Sequence, residues 1–272
     1  MSMELGVLIA LNDDVDGEFK KVHDLGFKSC QLNCWNDEMY TEEVAEKVRE
    51  ASKKYDVKIS TFWCGWNGPK VWDFYEGPLT LGLVPLDYRY DRIKELMKGS
   101  DFAKMINVEN IATHVGFLPE VPSTDQYQSL VCALRMLAEY VKENGQYFLF
   151  ETGQETPVTL KRMIEDIGTG NLGINLDSAN LILYGKANPI DALDVFGEFV
   201  RDTHAKDGLY PTDGKHLGKE VPIGEGKVNF PEFIKKLKEI GYTGPITIER
   251  EVSGEQQIND IKNSKKYLES LI

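Results

Sequence analysis

The sequence lacks the features that mark several common classes of protein. Its 272 residues contain no CxxC pair and only four cysteines, which are Cys30, Cys34, Cys64 and Cys132. We interpret all four as reduced thiols that pack as small apolar side chains, because their spacing fits neither a zinc finger nor a disulfide framework. The apolar run Leu5–Leu11 is too short to span a bilayer, and no basic segment precedes it as in a secretory signal. We therefore expect a cytoplasmic protein with no membrane partner.

Positive charge is also scarce. The chain has 44 acidic and 31 basic residues, which gives a formal net charge of −13. Such a surface repels the phosphate backbone of nucleic acids, so we expect no nucleic-acid partner. There is no GxSxG nucleophile elbow, no phosphate-binding loop and no GxGxxG directly following the first apolar run. These absences disfavour serine hydrolases, P-loop enzymes and dinucleotide-binding enzymes.

Apolar runs of strand length alternate with helical patterns along the whole chain. The predicted strands are Leu5–Leu11, Ser29–Trp35, Val57–Trp63, Asn110–Val115, Tyr147–Glu151, Leu172–Asp177, Phe199–His204 and Pro245–Glu249. The predicted helices are Gly17–Leu25, Thr41–Tyr55, Tyr88–Met105, Thr124–Glu143, Pro157–Ile167, Pro189–Glu198, Phe230–Ile240 and Glu255–Leu271. Strict alternation of eight such units predicts one α/β domain over residues 1–272, a (β/α)₈ TIM barrel. An open doubly wound sheet is the alternative, which the missing GxGxxG and the absence of a linker disfavour.

One connection is unusually long. Residues 64–86 carry Trp66, Trp72, Phe74 and Tyr75 interleaved with glycines. Long loops that follow barrel strands usually serve the site, so we predict a lid over the C-terminal mouth of the barrel. The alternative is an aromatic plug that only protects the core. The same loop could contribute to a dimer interface, so a homo-oligomer is one of the predicted states.

Four strand ends carry residues that commonly bind metals. In a barrel the chemistry gathers at the C-terminal ends of the strands, where this chain has Glu151, Asp177, His204 and Glu249. Three carboxylates at one mouth repel each other at large cost unless a cation neutralises them. We therefore predict one divalent metal ion, with Mn²⁺, Mg²⁺, Co²⁺, Zn²⁺ and Fe²⁺ all open. Taken singly, each glutamate could instead form a salt bridge or cap a helix, and the histidine could be structural.

With those residues placed, several segments carry a family resemblance. They are Asn175–Gly185 (NLDSANLILYG), Thr203–Gly208 (THAKDG), Pro222–Phe230 (PIGEGKVNF), Ile246–Glu249 (ITIE) and Thr113–Gly116 (THVG). On these segments the chain resembles the xylose isomerase-like TIM barrels. That superfamily contains sugar and sugar-phosphate isomerases and epimerases together with the type IV apurinic endonucleases, and the resemblance spans nearly the whole chain.

The resemblance implies roles for particular residues. In the ketose epimerases of the superfamily, residues matching Glu151, Asp177, His204 and Glu249 hold one metal. The two glutamates there act as acid and base and move a proton through a metal-bound enediolate of a sugar. The predicted substrate contacts are His114, Asn180, Lys206, Glu225 and Trp66. The alternatives are a salt bridge to Asp207 for Lys206, a turn role for Glu225 and a structural role for His114.

The sequence also departs from those epimerases. Where some of them have a substrate-binding histidine this chain has Asn180, and where they have an arginine it has Tyr210. The identity of the sugar, and whether it is phosphorylated, therefore stay open. The trinuclear zinc site of the endonucleases needs more histidines than this chain supplies, because His23 falls in a predicted helix and His216 in a loop. Two alternatives to an isomerase remain, namely a metal-dependent dehydratase of the inosose type and a non-catalytic sugar-binding barrel.

Overall fold

Eight parallel strands form a closed barrel in the computed structural model, which describes residues 3–272. The barrel strands are β1 (Glu4–Ala10), β2 (Ser29–Cys34), β3 (Lys58–Cys64), β4 (Asn110–Thr113), β5 (Tyr147–Glu151), β6 (Leu172–Asp177), β7 (Val200–Ala205) and β10 (Pro245–Ile248). The ring is closed by the pairing of β1 with β10, in which Leu5 lies opposite Ile246. The predicted TIM barrel is confirmed.

Helices surround the barrel. They are α1 (Val15–Asp24), α2 (Glu42–Tyr55), α3 (Gly77–Thr80), α4 (Leu86–Met105), α5 (Asp125–Glu143), α6 (Pro157–Ile167), α7 (Asn180–Leu183), α8 (Pro189–Phe196), α9 (Phe230–Glu239) and α10 (Gly254–Glu269). Threonine caps set several of the starts: the side chains of Thr41, Thr124 and Thr156 accept hydrogen bonds from backbone N–H groups in the first turns of α2, α5 and α6. Within residues 3–272, no helix is both long and apolar enough to cross a membrane.

The connection between β7 and α9 contains a small hairpin that the apolar pattern does not predict. It pairs β8 (Asp207–Leu209) with β9 (Lys219–Val221) in antiparallel fashion. The Asp207 carboxylate accepts hydrogen bonds from the backbone N–H groups of Gly224, Gly226 and Val228 at 2.9 to 3.1 Å. A Cβ atom on Gly226 would lie 2.0 Å from Asp207 Oδ1, so glycine is required there. The 222–228 segment therefore folds around Asp207.

The loop 64–86 is held by a buried arginine on α4. Arg92 is almost fully buried and donates hydrogen bonds to four carbonyl oxygens of the loop. The acceptors belong to Asn67, Pro69, Thr80 and Gly82, at distances of 2.7 to 3.1 Å. The guanidinium carbon also lies 4.1 Å from the centre of the Trp66 ring. One side chain thus satisfies four backbone carbonyl groups of this irregular segment.

Replacing Arg92 by methionine should destabilise the protein strongly. The four carbonyl oxygens would lose their donor, and we expect the free energy of unfolding to fall by about 3 kcal/mol or more. Urea unfolding measures this change. The matched control is Lys94→Met, because Lys94 is exposed on the same helix and its loss should cost no more than about 0.5 kcal/mol. Equal losses in the two variants would contradict this role of Arg92.

Candidate metal and substrate site

Four side chains converge where the neighbouring strands β5, β6, β7 and β10 end. Asp177 lies directly opposite His204 in the β6–β7 pairing, and Thr247 lies opposite His204 in the β10–β7 pairing. Glu249 follows the end of β10 and donates its backbone N–H to Ala205. Each residue of the set offers a ligand atom, and these atoms all lie within 4.8 Å of one another. The set is Glu151, Asp177, His204 and Glu249.

The imidazole of His204 is oriented by an amide inside the barrel. Gln31 Oε1 lies 2.8 Å from His204 Nε2, and we assign this nitrogen as an N–H donor to that oxygen. Gln31 Nε2 in turn donates to Asn175 Oδ1 at 3.0 Å. His204 Nδ1 then faces the carboxylates, 3.2 Å from an oxygen of Glu151 and 3.2 Å from an oxygen of Glu249. A metal-binding histidine usually donates its other N–H to a fixed acceptor, so this arrangement suits Nδ1 as a ligand.

Positive side chains neutralise part of the negative charge of the carboxylates. Lys206 Nζ lies 3.3 Å from Glu249 Oε2 and 3.6 Å from Asp177 Oδ2. Burial favours neutral His204, but Glu249 and Glu151 outweigh it and raise the pKa of the imidazole well above its ordinary value. Burial opposes the charge of Glu249, but Lys206 and His204 outweigh it and hold the pKa of this carboxyl well below its ordinary value. For Asp177 burial prevails and raises the pKa to about 7.

The oxygens of Asp177 and Glu249 test whether a metal ion fits. Asp177 Oδ1 accepts hydrogen bonds from the backbone N–H groups of Ala179 and Asn180, both at 2.8 Å. Asp177 Oδ2 and Glu249 Oε2 are buried and accept no hydrogen bond from residues 3–272. Both oxygens have only ionic contacts with Lys206 and His204. Buried carboxylate oxygens that accept no hydrogen bond are costly, and a divalent cation would satisfy both. The donor set of carboxylate oxygens and one imidazole nitrogen therefore fits such an ion.

Glu151 has a fixed orientation. The indole N–H of Trp63 donates to its Oε2, and the amide of Asn180 donates to its Oε1 at 3.4 Å. His114 Nε2 lies 3.5 Å from the same Oε1. Burial would raise the pKa of Glu151, but His114 and His204 outweigh that effect and lower it. The carboxylate is therefore ionised and directed into the site, where it can accept a proton.

A cavity of about 720 Å³ opens onto this cluster. One wall consists of Trp35, Trp63 and Trp72, the last of which comes from the 64–86 loop. The Trp35 and Trp63 ring centres are 4.9 Å apart, and Trp72 packs edge-on against His114 with ring centres 5.4 Å apart. The cavity therefore has an aromatic wall beside a strongly charged end.

The structure brings together most of the residues predicted from the sequence. His114, Asn180 and Lys206 line the cavity beside the four predicted metal ligands. Trp66 is instead buried beneath the cavity wall, between Arg92 and Trp35. Glu225 is exposed in the 222–228 loop that folds around Asp207. The roles of all these residues toward a metal or a substrate stay predictions.

Sequence reasoning missed a polar layer inside the barrel. Side chains two residues apart in a strand face the same way. Three of the predicted ligands accordingly have buried polar partners two positions earlier, and Gln31 and Thr61 complete the layer from β2 and β3. The pairs are Asn175 with Asp177, Asp202 with His204, and Thr247 with Glu249. This spacing was the available signal, because polar side chains repeat at period two within otherwise apolar runs.

Comparisons with known proteins agree with the barrel fold. The sequence profile of the family described as xylose isomerase-like TIM barrel matches residues 19–271. The solved xylose isomerase domain protein of Planctomyces limnophilus is 34% identical, with a TM-score of 0.94 over 100% of this chain and 98% of that one. The 3-keto-D-glucoside 4-epimerase of E. coli is 13% identical, with a TM-score of 0.74 over 99% and 100%. The probable 3-DHS dehydratase of Bacillus anthracis is 19% identical, with a TM-score of 0.69 over 98% and 99%.

Divalent metal should stabilise the protein through the Asp177 and Glu249 oxygens. We expect saturating Mn²⁺ to raise the melting temperature of the wild type, because an ion that binds only the folded state adds about 2.7 kcal/mol at a hundredfold excess over Kd. Asp177→Asn should abolish the effect.

Gln31→Leu should weaken Mn²⁺ binding by about 10- to 100-fold in titration calorimetry, because the imidazole loses its fixed acceptor. The exposed Gln256→Leu is the control, and equal affinities for the two variants would contradict the orienting role of Gln31.

Glu155 is a buried carboxyl four residues after Glu151. Burial raises the pKa of Glu155 to about 8. The folded state therefore favours the neutral form, and the wild type should lose stability as the pH rises from about 4.5 to 8, by at most about 1.4 kcal/mol per pH unit. Glu155→Gln removes this loss, so its stability relative to the wild type should grow over that range. Urea unfolding across the range measures it, with the exposed Glu139→Gln as control. A difference that does not change with pH would count against a neutral Glu155.

Proposed function

Because the chain belongs to the xylose isomerase-like TIM barrel family, we propose that it is a divalent-metal-dependent isomerase or epimerase of a sugar or sugar derivative. One observation carries the proposal. Three carboxylates and one imidazole come within 4.8 Å at the end of a cavity, and two of the buried carboxylate oxygens accept no hydrogen bond from the described residues. Such a centre suits the removal and return of a proton beside a carbonyl group.

The residues of the site have two proposed roles, metal binding and proton transfer. Asp177 and His204, with Glu151 and Glu249, would hold the ion. When bound, the ion polarises a carbonyl and its neighbouring hydroxyl and so acidifies the C–H between them. Glu151 and Glu249 each have an oxygen 3.2 Å from His204 Nδ1. In this proposal one glutamate removes the proton and the other returns it, on the opposite face of the substrate for an epimerisation.

The aromatic wall supports a sugar as substrate. A sugar presents apolar C–H groups on its faces and hydroxyl groups around its edge. The rings of Trp35 and Trp72 offer an apolar surface for such a face, while Asn180 and Lys206 offer polar atoms for hydroxyl groups in the same cavity. The indole of Trp63 is already engaged by Glu151, so it contributes its ring.

Lys206 also favours a second candidate, a dehydratase. Its ammonium group is buried in the cavity and lies 3.4 Å from Asn180 Oδ1. A cation there could protonate a β-hydroxyl group as it leaves after proton abstraction by a glutamate. The dehydratase of Bacillus anthracis that shares the fold supports this alternative.

Solvent-hydrogen exchange tests the proposed function. The Mn²⁺-loaded protein is incubated in deuterium oxide with a panel of ketoses, and label is located by NMR. We expect deuterium at a carbon next to the carbonyl in at least one sugar. Glu151→Gln and Glu249→Gln should each lower the rate at least about 100-fold, because each removes a group that transfers the proton. Glu139→Gln, on the outer surface of α5, should keep the wild-type rate.

The outcomes separate the candidate functions. A dehydrated product would select the lyase. The absence of exchange across the panel, with the metal bound, would contradict the proposed isomerase. Binding of a sugar without any turnover would then favour a sugar-binding barrel without catalytic activity.

A further inference from the structure

We propose that the natural substrate is an uncharged ketosugar linked to a second sugar unit, rather than a free or phosphorylated monosaccharide. This inference rests on the proposed function and adds the substrate class. Two observations carry it. The cavity lining extends beyond the metal-binding cluster to residues of α1 and α10, and the lysine and arginine side chains that line the cavity are already paired with carboxylates.

The cavity extends beyond the carboxylate cluster. Its lining also includes Ile9 and Ile248 and, on α1 and α10, Glu18, Lys21 and Gln257, which we call its distal end. Its volume of about 720 Å³ falls in the upper part of the range of about 300–1,000 Å³ that is typical of pockets for drug-sized ligands. A single six-carbon sugar is much smaller than such a ligand. A second sugar unit would occupy the distal end.

The charges that line the cavity disfavour a phosphate there. Three lysine and arginine side chains of residues 3–272 line the cavity, and each is paired. Lys21 lies 2.5 Å from Glu18, and Lys206 lies 2.8 Å from Glu251. The third, Arg250, lies 2.9 Å from Glu220 and 2.8 Å from Asp260. A phosphate would have to displace a carboxylate from one of these pairs, in a protein whose net charge is −13.

The distal end has the chemistry of a sugar site. Glu18 and Lys21 present a carboxylate and an ammonium group, and Gln257 presents an amide, so hydroxyl groups find both donors and acceptors there. Ile261 adds an apolar surface for the C–H groups of a ring. An uncharged second sugar would use these groups without disturbing the ion pairs.

Three ligands that differ only at one position test the inference. D-fructose, D-fructose 6-phosphate and isomaltulose carry a hydrogen, a phosphate or a glucosyl group on the same oxygen. Their dissociation constants are measured by titration calorimetry on the Mn²⁺-loaded protein. We expect isomaltulose to bind about tenfold more tightly than D-fructose, and D-fructose 6-phosphate to bind no more tightly than D-fructose.

Two neighbouring glutamines supply matched variants. Gln257 lines the distal end, whereas Gln256 is exposed on the same helix. Gln257→Trp should fill the distal end and remove the tenfold preference for isomaltulose over D-fructose. Gln256→Trp should retain that preference, and melting curves of both variants check that they are folded.

The results that overturn the inference are distinct from a failure of the proposed function. D-fructose 6-phosphate as the tightest ligand, or isomaltulose binding no better than D-fructose, would overturn the inference even if solvent exchange succeeds. An equal effect of the two tryptophan variants would also overturn it. Isomaltulose binding with the expected preference, but without solvent exchange in any ketose, would contradict the proposed isomerase and keep the extended sugar site.

Discussion

The repulsion among three buried carboxylates is the constraint around which the mouth of the barrel is built. Glu151, Asp177 and Glu249 lie at the ends of neighbouring strands of the closed sheet, so the barrel fixes their backbone positions close together. Positive charge, or a proton on Asp177, relieves the repulsion, and His204 and Lys206 supply part of the positive charge. The two carboxylate oxygens left without hydrogen bonds show where further positive charge would be most stabilising. The barrel core offsets the cost of this arrangement.

The polar layer beneath the mouth follows from the same constraint. TIM barrels usually fill their interior with branched apolar side chains. Here Gln31, Asn175 and Asp202 occupy interior positions, and Asp202 accepts a hydrogen bond from Thr61 at 2.7 Å. Burial raises the pKa of Asp202, which is the cost of placing a carboxyl in this layer. The layer orients His204. The amide of Gln31 fixes Nε2 of the imidazole and leaves Nδ1 for the carboxylates.

The sequence predicts those features of the structure that depend on residues close together in the chain. The approximate limits of strands and helices follow from the period of the apolar residues and from the helix-capping residues. The candidate ligand set follows from the residue that ends each strand. The contact between Gln31 and His204 joins residues 173 positions apart, so no local pattern reveals it. The apolar residues of the 64–86 loop follow no regular period. The sequence therefore could not show that Trp72 lines the cavity while Trp66 packs on Arg92. Those orientations depend on a buried guanidinium from another element.

Asn180 illustrates how one such residue changes the chemistry available. Its amide donates to Glu151 at 3.4 Å and accepts from Lys206 at 3.4 Å, so it links a carboxylate on β5 to the ammonium group after β7. An amide keeps the same charge at every physiological pH, whereas an imidazole would gain or lose a proton there. In the proposed isomerase reaction Asn180 therefore takes no part in proton transfer, which falls to Glu151 and Glu249. Asn180 instead holds Glu151 and Lys206 in register with each other, beside the substrate hydroxyl groups that it would contact.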